Sequence, residues 1–194
     1  SRGKAPRPFD PASPGAVPGE GATAIVVKRL ADAVRDGDRI YAVVRGVGAA
    51  SGGQRLQHAL ARAWAEAGVS PASAKLLEAH ADGTRETDTS ELEITRAFAG
   101  DGAEFGSTAG LVGSLGAAAG LTSLVKATLC LHHQVLAPLP GLSKDARPWV
   151  RNRVEGPRRA GVSSLGLDGS AVHVVLEQAP ESGRVVSSAF AGAR

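Results

Sequence analysis

The chain has no methionine, one cysteine and few rings: two Trp, one Tyr and four Phe in 194 residues. A lone Cys130 excludes an internal disulfide and suggests a reducing compartment. With aromatic residues at 4%, the core has to be built from Val, Leu, Ile and Ala. Neither sign of charge dominates; a net charge of +3 is too mild to argue for nucleic acid. No Cys/His spacing suggests zinc. No charged-then-apolar N-terminus marks a signal peptide. Ser1 is not a natural start, and with Met absent the chain reads as a piece of something longer. What is present is ordinary for a soluble globular protein: 43% hydrophobic and 21% charged residues.

One stretch needs a reason. From Phe105 to Val125 there is no charge, and "GSTAGLVGSLGAAAG" (Gly106 to Gly120) lies within it. The length would suit a membrane span. Its five Gly and five Ser/Thr would weaken a single helix, which dismisses that reading.

Residues 1–21 are rich in Pro and Gly and read as an exposed loop. "ATAIVVKRL" (22–30) and "DRIYAVVRGVGAA" (38–50) are expected strands. "LQHALARAWAEAG" (56–68) has helical periodicity and a glycine stop. "AKLLEAH" (74–80) predicts a short buried strand, and "DTSELEITRAFAG" (88–100) a capped helix. "GLVGSLG" reads as strand or loop. "AAAGLTSLVKATLCLHH" predicts a helix with Leu121, Leu124, Val125, Thr128 and Leu129 on one face. A Pro-rich connection (137–157) leads to two strands, "RRAGVSSLGL" and "SAVHVVLEQ", joined at Asp168-Gly169. Beyond Pro180 a disordered tail is expected. Strands alternating with helices predict an α/β fold with a mixed sheet.

Each candidate for chemistry has a bland reading beside it. "GVGAAS" (46–51) nearly imitates a dinucleotide fingerprint but lacks its third Gly, so a tight strand-to-helix turn is expected. His80 stands at the C-terminal end of a buried strand, a good place for chemistry, although a structural role fits as well. His132 and His133 read as solvent-side or dipole-capping residues. His173 reads as a core residue and Cys130 as an inert buried thiol. Arg147, Arg151, Arg153, Arg158 and Arg159 form either a solvated face or a docking site for an acidic partner.

Four collinear stretches make the chain resemble the C-terminal part of the β-ketoacyl synthase (ketosynthase) domain of polyketide and polyunsaturated-fatty-acid synthases. "RPFDPASPGAVPGEGATAIVVKRLADAVRDGDRIYAVVRG" is similar to the family's Phe-Asp and Gly-Glu-Gly segment. "LLEAHADGTRETDTSELE" is similar to "EAHGTGT…GD". "GSTAGLVGSLGAAAG" aligns without a gap to "GSVKSNIGHLEAAAG", and "RRAGVSSLGLDGSAVHVVLEQAP" to the family's closing strands. The resemblance covers about residues 6–180. It implies a thiolase-like fold with a mixed five-stranded sheet and helices on its faces, this chain supplying the second of two similar halves. Residues 1–21 would then be a loop of the first half, 22–50 its last strands, 51–180 the second half and 181–194 a tail or linker.

The family's chemistry uses a Cys nucleophile, two His and a supporting Lys to condense acyl and malonyl groups held on an acyl carrier protein. By the resemblance the first His is His80, the Lys position is Ala109 and the second His position is Ser114. The phenylalanine that gates the acyl pocket falls on Leu167, an Asn on Ala171, and Thr84 remains as a substrate-side residue. The nucleophile position would precede Ser1, and Cys130 does not match it. Asp82 adds a carboxylate beside a site meant to hold negative charge. The reading that follows is a retained fold without the reaction, in the manner of a chain-length factor. Two alternatives stand beside it: half of an active synthase, and a purely architectural docking domain. The expected partners are a catalytic ketosynthase and an acyl carrier protein, with no cofactor, metal, nucleic acid or membrane, in the cytoplasm. The chain alone would expose an apolar face where the first half packs.

Overall fold

The computed structural model describes residues 6–139 and 145–180. Helix α1 (Leu30–Arg35) leads into β1 (Ala42–Ser51), α2 (Arg55–Ala67), β2 (Ala74–Glu78) and α3 (Arg85–Ala99). Then come β3 (Glu104–Gly106), α4 (Ala109–Val112), α5 (Ala119–His133), β4 (Val135–Leu136), β5 (Arg147–Pro148), β6 (Arg159–Leu165) and β7 (Ser170–Gln178). Five strands form one sheet in the order β1-β7-β6-β2-β3, and β4 pairs with β5 separately. β1, β7 and β6 run antiparallel in turn, whereas β6, β2 and β3 are parallel. The expected α/β architecture with a mixed five-stranded sheet is what forms.

Helices cover both faces. On one, α2 lays Leu56, Leu60, Ala63, Trp64 and Ala67 over Leu77 and Val175, with Ile94 and Phe98 of α3 beside them. On the other, α5 packs Ala127, Cys130 and Leu131 against Leu76, Val162 and Leu176, closed by Trp149. Burial of such aliphatic side chains is the dominant favourable contribution. At the α2 C-terminus, Gly68 takes φ 65°, so the expected glycine stop is a left-handed cap.

"GVGAAS" is not a strand-to-helix turn. Gly46 and Gly48 lie inside β1, under α2. A Cβ on Gly46 would stand 2.1 Å from the Ala63 carbonyl oxygen, and one on Gly48 2.0 Å from that of Ala59. Glycines on the strand and alanines on the helix therefore let the two backbones touch. The spacing that imitates a nucleotide loop serves packing.

Residues 22–29 are not a strand either. Among the described residues no strand pairs with them, and Val26 is 99% exposed; β-branched sequence without a hydrogen-bonding neighbour makes no ladder. β1, placed by sequence with the first half, forms the edge of the same sheet as β2, β6 and β7. The tail beyond Pro180 lies outside the described residues.

Helix α5 is turned differently from expectation. Its buried positions are Ser123, Ala127, Cys130, Leu131 and His132, while Leu129 is exposed. The helix is apolar on both sides, so periodicity does not choose the inner one; small residues at 123 and 127 let that side approach the sheet. His132 is accordingly buried, its ring 4.6 Å from that of Tyr41. "GLVGSLG" (110–116) begins inside the short helix α4. The arginine run is largely engaged within the fold: Arg147 with Glu104, Arg159 with Glu177, Arg158 with the Trp149 carbonyl and Gln178, and Arg151 with the Gly156 carbonyl.

His173 is a core residue, as expected, and fully enclosed. The Trp64 indole N–H donates to its Nε2 at 3.1 Å, which places the ring proton on Nδ1, 2.9 Å from Ser163 Oγ. Burial holds its pKa at about 3. An unfolded histidine titrates near ~6.5. The folded value is depressed, so the stability His173 provides is complete above the unfolded value and is lost as pH falls towards 3. By pH 5 the loss is on the order of 2 kcal/mol. Urea midpoints measured from pH 7 to pH 4 will show this slope in the wild type and a flatter one in His173→Gln.

Candidate functional site

The C-terminal ends of parallel strands β6, β2 and β3 all open at one end of the sheet, the side where α/β proteins place ligands. His80 follows β2, Ala109 follows β3, and the loop with Leu167 follows β6. The topology thus brings to one end three loops that are scattered along the sequence. The Ser107 hydroxyl ties two of them together, donating to the Ala81 carbonyl at 2.6 Å.

The His80 segment is held from below by a buried carboxylate. Glu91, on the inner face of α3, accepts the His80 and Ala81 backbone N–H groups, each at 2.9 Å. Burial nevertheless pushes its carboxyl up to about 7, because the two backbone donors only partly replace water. Three residues earlier, buried Asp88 accepts the N–H groups of Phe9 (3.0 Å) and Gly83 (3.1 Å). Its pKa is also raised, mainly by burial. Asp88 joins the N-terminal loop to the turn after His80. Within that loop Phe9 sits at φ 64°, a strained value for a bulky residue, with its ring edge-on to Phe105.

Desolvation lowers the His80 pKa; Asp82 and Asp88 oppose this, and Arg55 adds to it. The imidazole is therefore neutral at pH 7. Asp82 is tied into a local turn, its Oδ1 accepting the Thr84 N–H at 2.9 Å. Thr84 is the exposed N-cap residue of α3.

The glycine-rich stretch now has its explanation. Gly106 lies against the Glu78 carboxylate, Gly113 has φ 83° and touches Gly19, and Gly120 rests on Ser164. Ser114 is fixed through its backbone: its N–H donates to the Val17 carbonyl (2.7 Å) and its carbonyl accepts the Gly19 N–H (2.9 Å). A Cβ on Gly19 would meet the Val112 carbonyl at 2.2 Å. Residues 17–19 and 112–114 interlock, keeping a tight loop whose positions 109 and 114 carry a buried methyl and a hydroxymethyl. Leu167 is fully exposed at its loop tip, and Ala171 is buried in β7.

Next to this loop, Glu78 and Lys126 form a buried ion pair at 2.9 Å, and the Thr108 hydroxyl donates to Glu78 at 2.9 Å. Sequence reading missed Glu78, Asp88, Glu91 and Lys126. A signal for two of them was there: Asp88, Glu91, Thr95 and Ala99 share the buried face of α3, and acids on such a face need partners. Among the described residues no group of three His, Cys, Asp or Glu could hold a metal, and no helix is long and apolar enough to cross a membrane.

Residues 41–143 match the family model described as "Beta-ketoacyl synthase, C-terminal domain". The chain is 40% identical over 202 residues to a phenolphthiocerol/phthiocerol polyketide synthase protein of Mycobacterium tuberculosis, covering 89% of this chain and 9% of that protein. It is 33% identical over 192 residues to a polyunsaturated fatty acid synthase protein of a Thraustochytrium species, covering 88% and 9%. Among solved structures it is similar to the ketosynthase from module 1 of the bacillaene synthase from Bacillus amyloliquefaciens, with TM-score 0.84, 27% identity, and coverage of 91% and 37%. It is also similar to "PfaC Keto synthase-Chain length factor", with TM-score 0.76, 29% identity, and coverage of 90% and 22%. The chain therefore spans only a small part of the length of the curated relatives it matches.

Proposed function

This chain belongs to the β-ketoacyl synthase family, as its C-terminal domain, and from that premise we propose that it is a non-catalytic, chain-length-factor-like part of a polyketide or polyunsaturated fatty acid synthase. It pairs with an active ketosynthase and helps shape the acyl chain that the partner extends on an acyl carrier protein. One observation carries the reading. The loop 106–120 keeps its glycine interlocks and buried contacts, while the positions matching the family's Lys and second His are Ala109 and Ser114. A methyl supplies no cation, and a hydroxymethyl supplies a neutral O–H donor on a shorter side chain in place of an imidazole, so the support that a developing oxyanion requires is reduced. The likeness to PfaC Keto synthase-Chain length factor is in keeping with this role.

His80 favours a second reading, an active synthase with one histidine, because its imidazole is neutral and stands at the strand end. A condensation assay separates the two. The whole protein is mixed with its partner ketosynthase, acyl-carrier and malonyl-carrier, once with the partner intact and once with the partner's nucleophilic cysteine changed to alanine. Product only with the intact partner is expected. Product in the second mixture overturns the non-catalytic reading.

A further inference from the structure

The sheet has two edges of unequal length. β3 at one end has three residues, whereas β1 at the other has ten. A long edge strand offers unpaired N–H and C=O groups to any other strand. In an antiparallel ladder these groups point alternately inward and outward. On β1 the residues flanking the buried glycines, Val47 and Ala49, turn their backbone groups outward.

Both residues are met by side chains of α2. The Glu66 carboxylate accepts the Val47 N–H at 2.7 Å, and the Arg62 guanidinium donates to the Ala49 carbonyl. Arg62 and Glu66 are four residues apart on α2, the spacing at which they would pair with each other along the helix. The structure instead directs each to the strand. They can reach it because Gly46 and Gly48 bring the α2 backbone into contact with β1. A third feature lies just before them, where a register shift between Val44 and Gly46 interrupts the ladder at Arg45. Val44 and Val47 are each 48% exposed. The edge thus combines apolar β-branched side chains with a backbone that would template pairing, the composition that needs protection.

We propose that Glu66 and Arg62 are edge caps, which close the outer side of β1 to a second copy of this chain. The glycine stripe then has two consequences. It packs the helix on the sheet, and it delivers one acceptor to the Val47 N–H and one donor to the Ala49 carbonyl, two of the backbone groups that an intermolecular ladder would use. A carboxylate cannot donate and a guanidinium cannot accept. The pair therefore matches the outward N–H and C=O in that order and would not serve in the reverse one.

The test follows single amides by hydrogen exchange in the whole protein. In Glu66→Ala the Val47 amide is expected to exchange at least about tenfold faster, the loss of a charge-assisted bond. The Gly48 amide, which faces β7, keeps its wild-type rate, and Glu66→Gln, which retains an acceptor oxygen, keeps most of the protection. An unchanged Val47 rate overturns the capping, as does an equal rise at Gly48, which would mean general loosening. Sedimentation of the double variant Arg62→Ala/Glu66→Ala then reads the guarding role. Association that rises with concentration, with the Val47 amide protected again at high concentration, is expected. A double variant that sediments like the wild type while its Val47 amide is open overturns that role.

Discussion

Gly48→Val is expected to prevent this domain from folding, and Gly48→Ala to cost more than about 3 kcal/mol. The Cβ of either side chain would stand 2.0 Å from the Ala59 carbonyl oxygen and 2.6 Å from the Ala63 nitrogen. These are backbone atoms of a regular helix and cannot rotate away. The helix would have to lift off the strand, taking Leu60 and Trp64 out of the cluster with Leu77 and Val175. It would also separate the Trp64 indole from His173, leaving two buried polar groups short of partners. Gly53→Ala is the control, since nothing lies within 4 Å of its added methyl; its effect should stay within roughly 0.5 kcal/mol. Soluble yield and thermal melting of the three variants check the order. Equal melting of Gly48→Ala and Gly53→Ala would show that β1 and α2 are not in backbone contact.

Lys126→Met is expected to cost about 3–5 kcal/mol, because it leaves the Glu78 carboxylate buried without its cation. Glu78 is fully enclosed, and burial already raises its pKa against the opposing pull of Lys126 and the Thr108 hydroxyl. Removing Lys126 raises the folded-state value further. A carboxyl with a raised folded pKa keeps its proton in the fold after the unfolded chain has lost it, so stability falls as pH rises above the unfolded value of ~4.3. The Lys126→Met defect should therefore shrink at acid pH, which a simple packing defect would not do. The double variant Glu78→Gln/Lys126→Met should recover most of the loss, since it buries no charge. Chemical denaturation of the wild type and these two variants at pH 5 and pH 8 checks both statements. A defect that is independent of pH and not repaired in the double variant would exclude a functioning ion pair.

Much of the fold was legible along the chain. "AKLLEAH", "LQHALARAWAEAG" and the closing strands around Asp168-Gly169 each carry a local period and a stop, and each forms its expected element. The long motifs of the resemblance also singled out His80, Ala109, Ser114 and Leu167, in that order. What failed has a common cause. "ATAIVVKRL" has strand composition but finds no neighbouring strand among the described residues. "GVGAAS" looks like a turn when glycine is read as flexibility, whereas here its missing Cβ matters more. The α5 helix is apolar on two sides, and periodicity does not say which one meets the sheet.

Local preference and hydrophobic period were enough to set most of the elements, their order and the α/β class, because both act over a few neighbouring residues. That positions 109 and 114 carry only a methyl and a hydroxymethyl is likewise written in the residue types themselves. Three-dimensional packing settled the rest. It brought the ends of β2, β3 and β6 together, gave the His80 backbone its support from Glu91, and put Glu78 against Lys126. It also turned Arg62 and Glu66 from each other to the edge of β1. Such contacts join residues far apart in the chain. Their strength comes from the exclusion of water, a condition that exists only once helices and sheet have closed on one another.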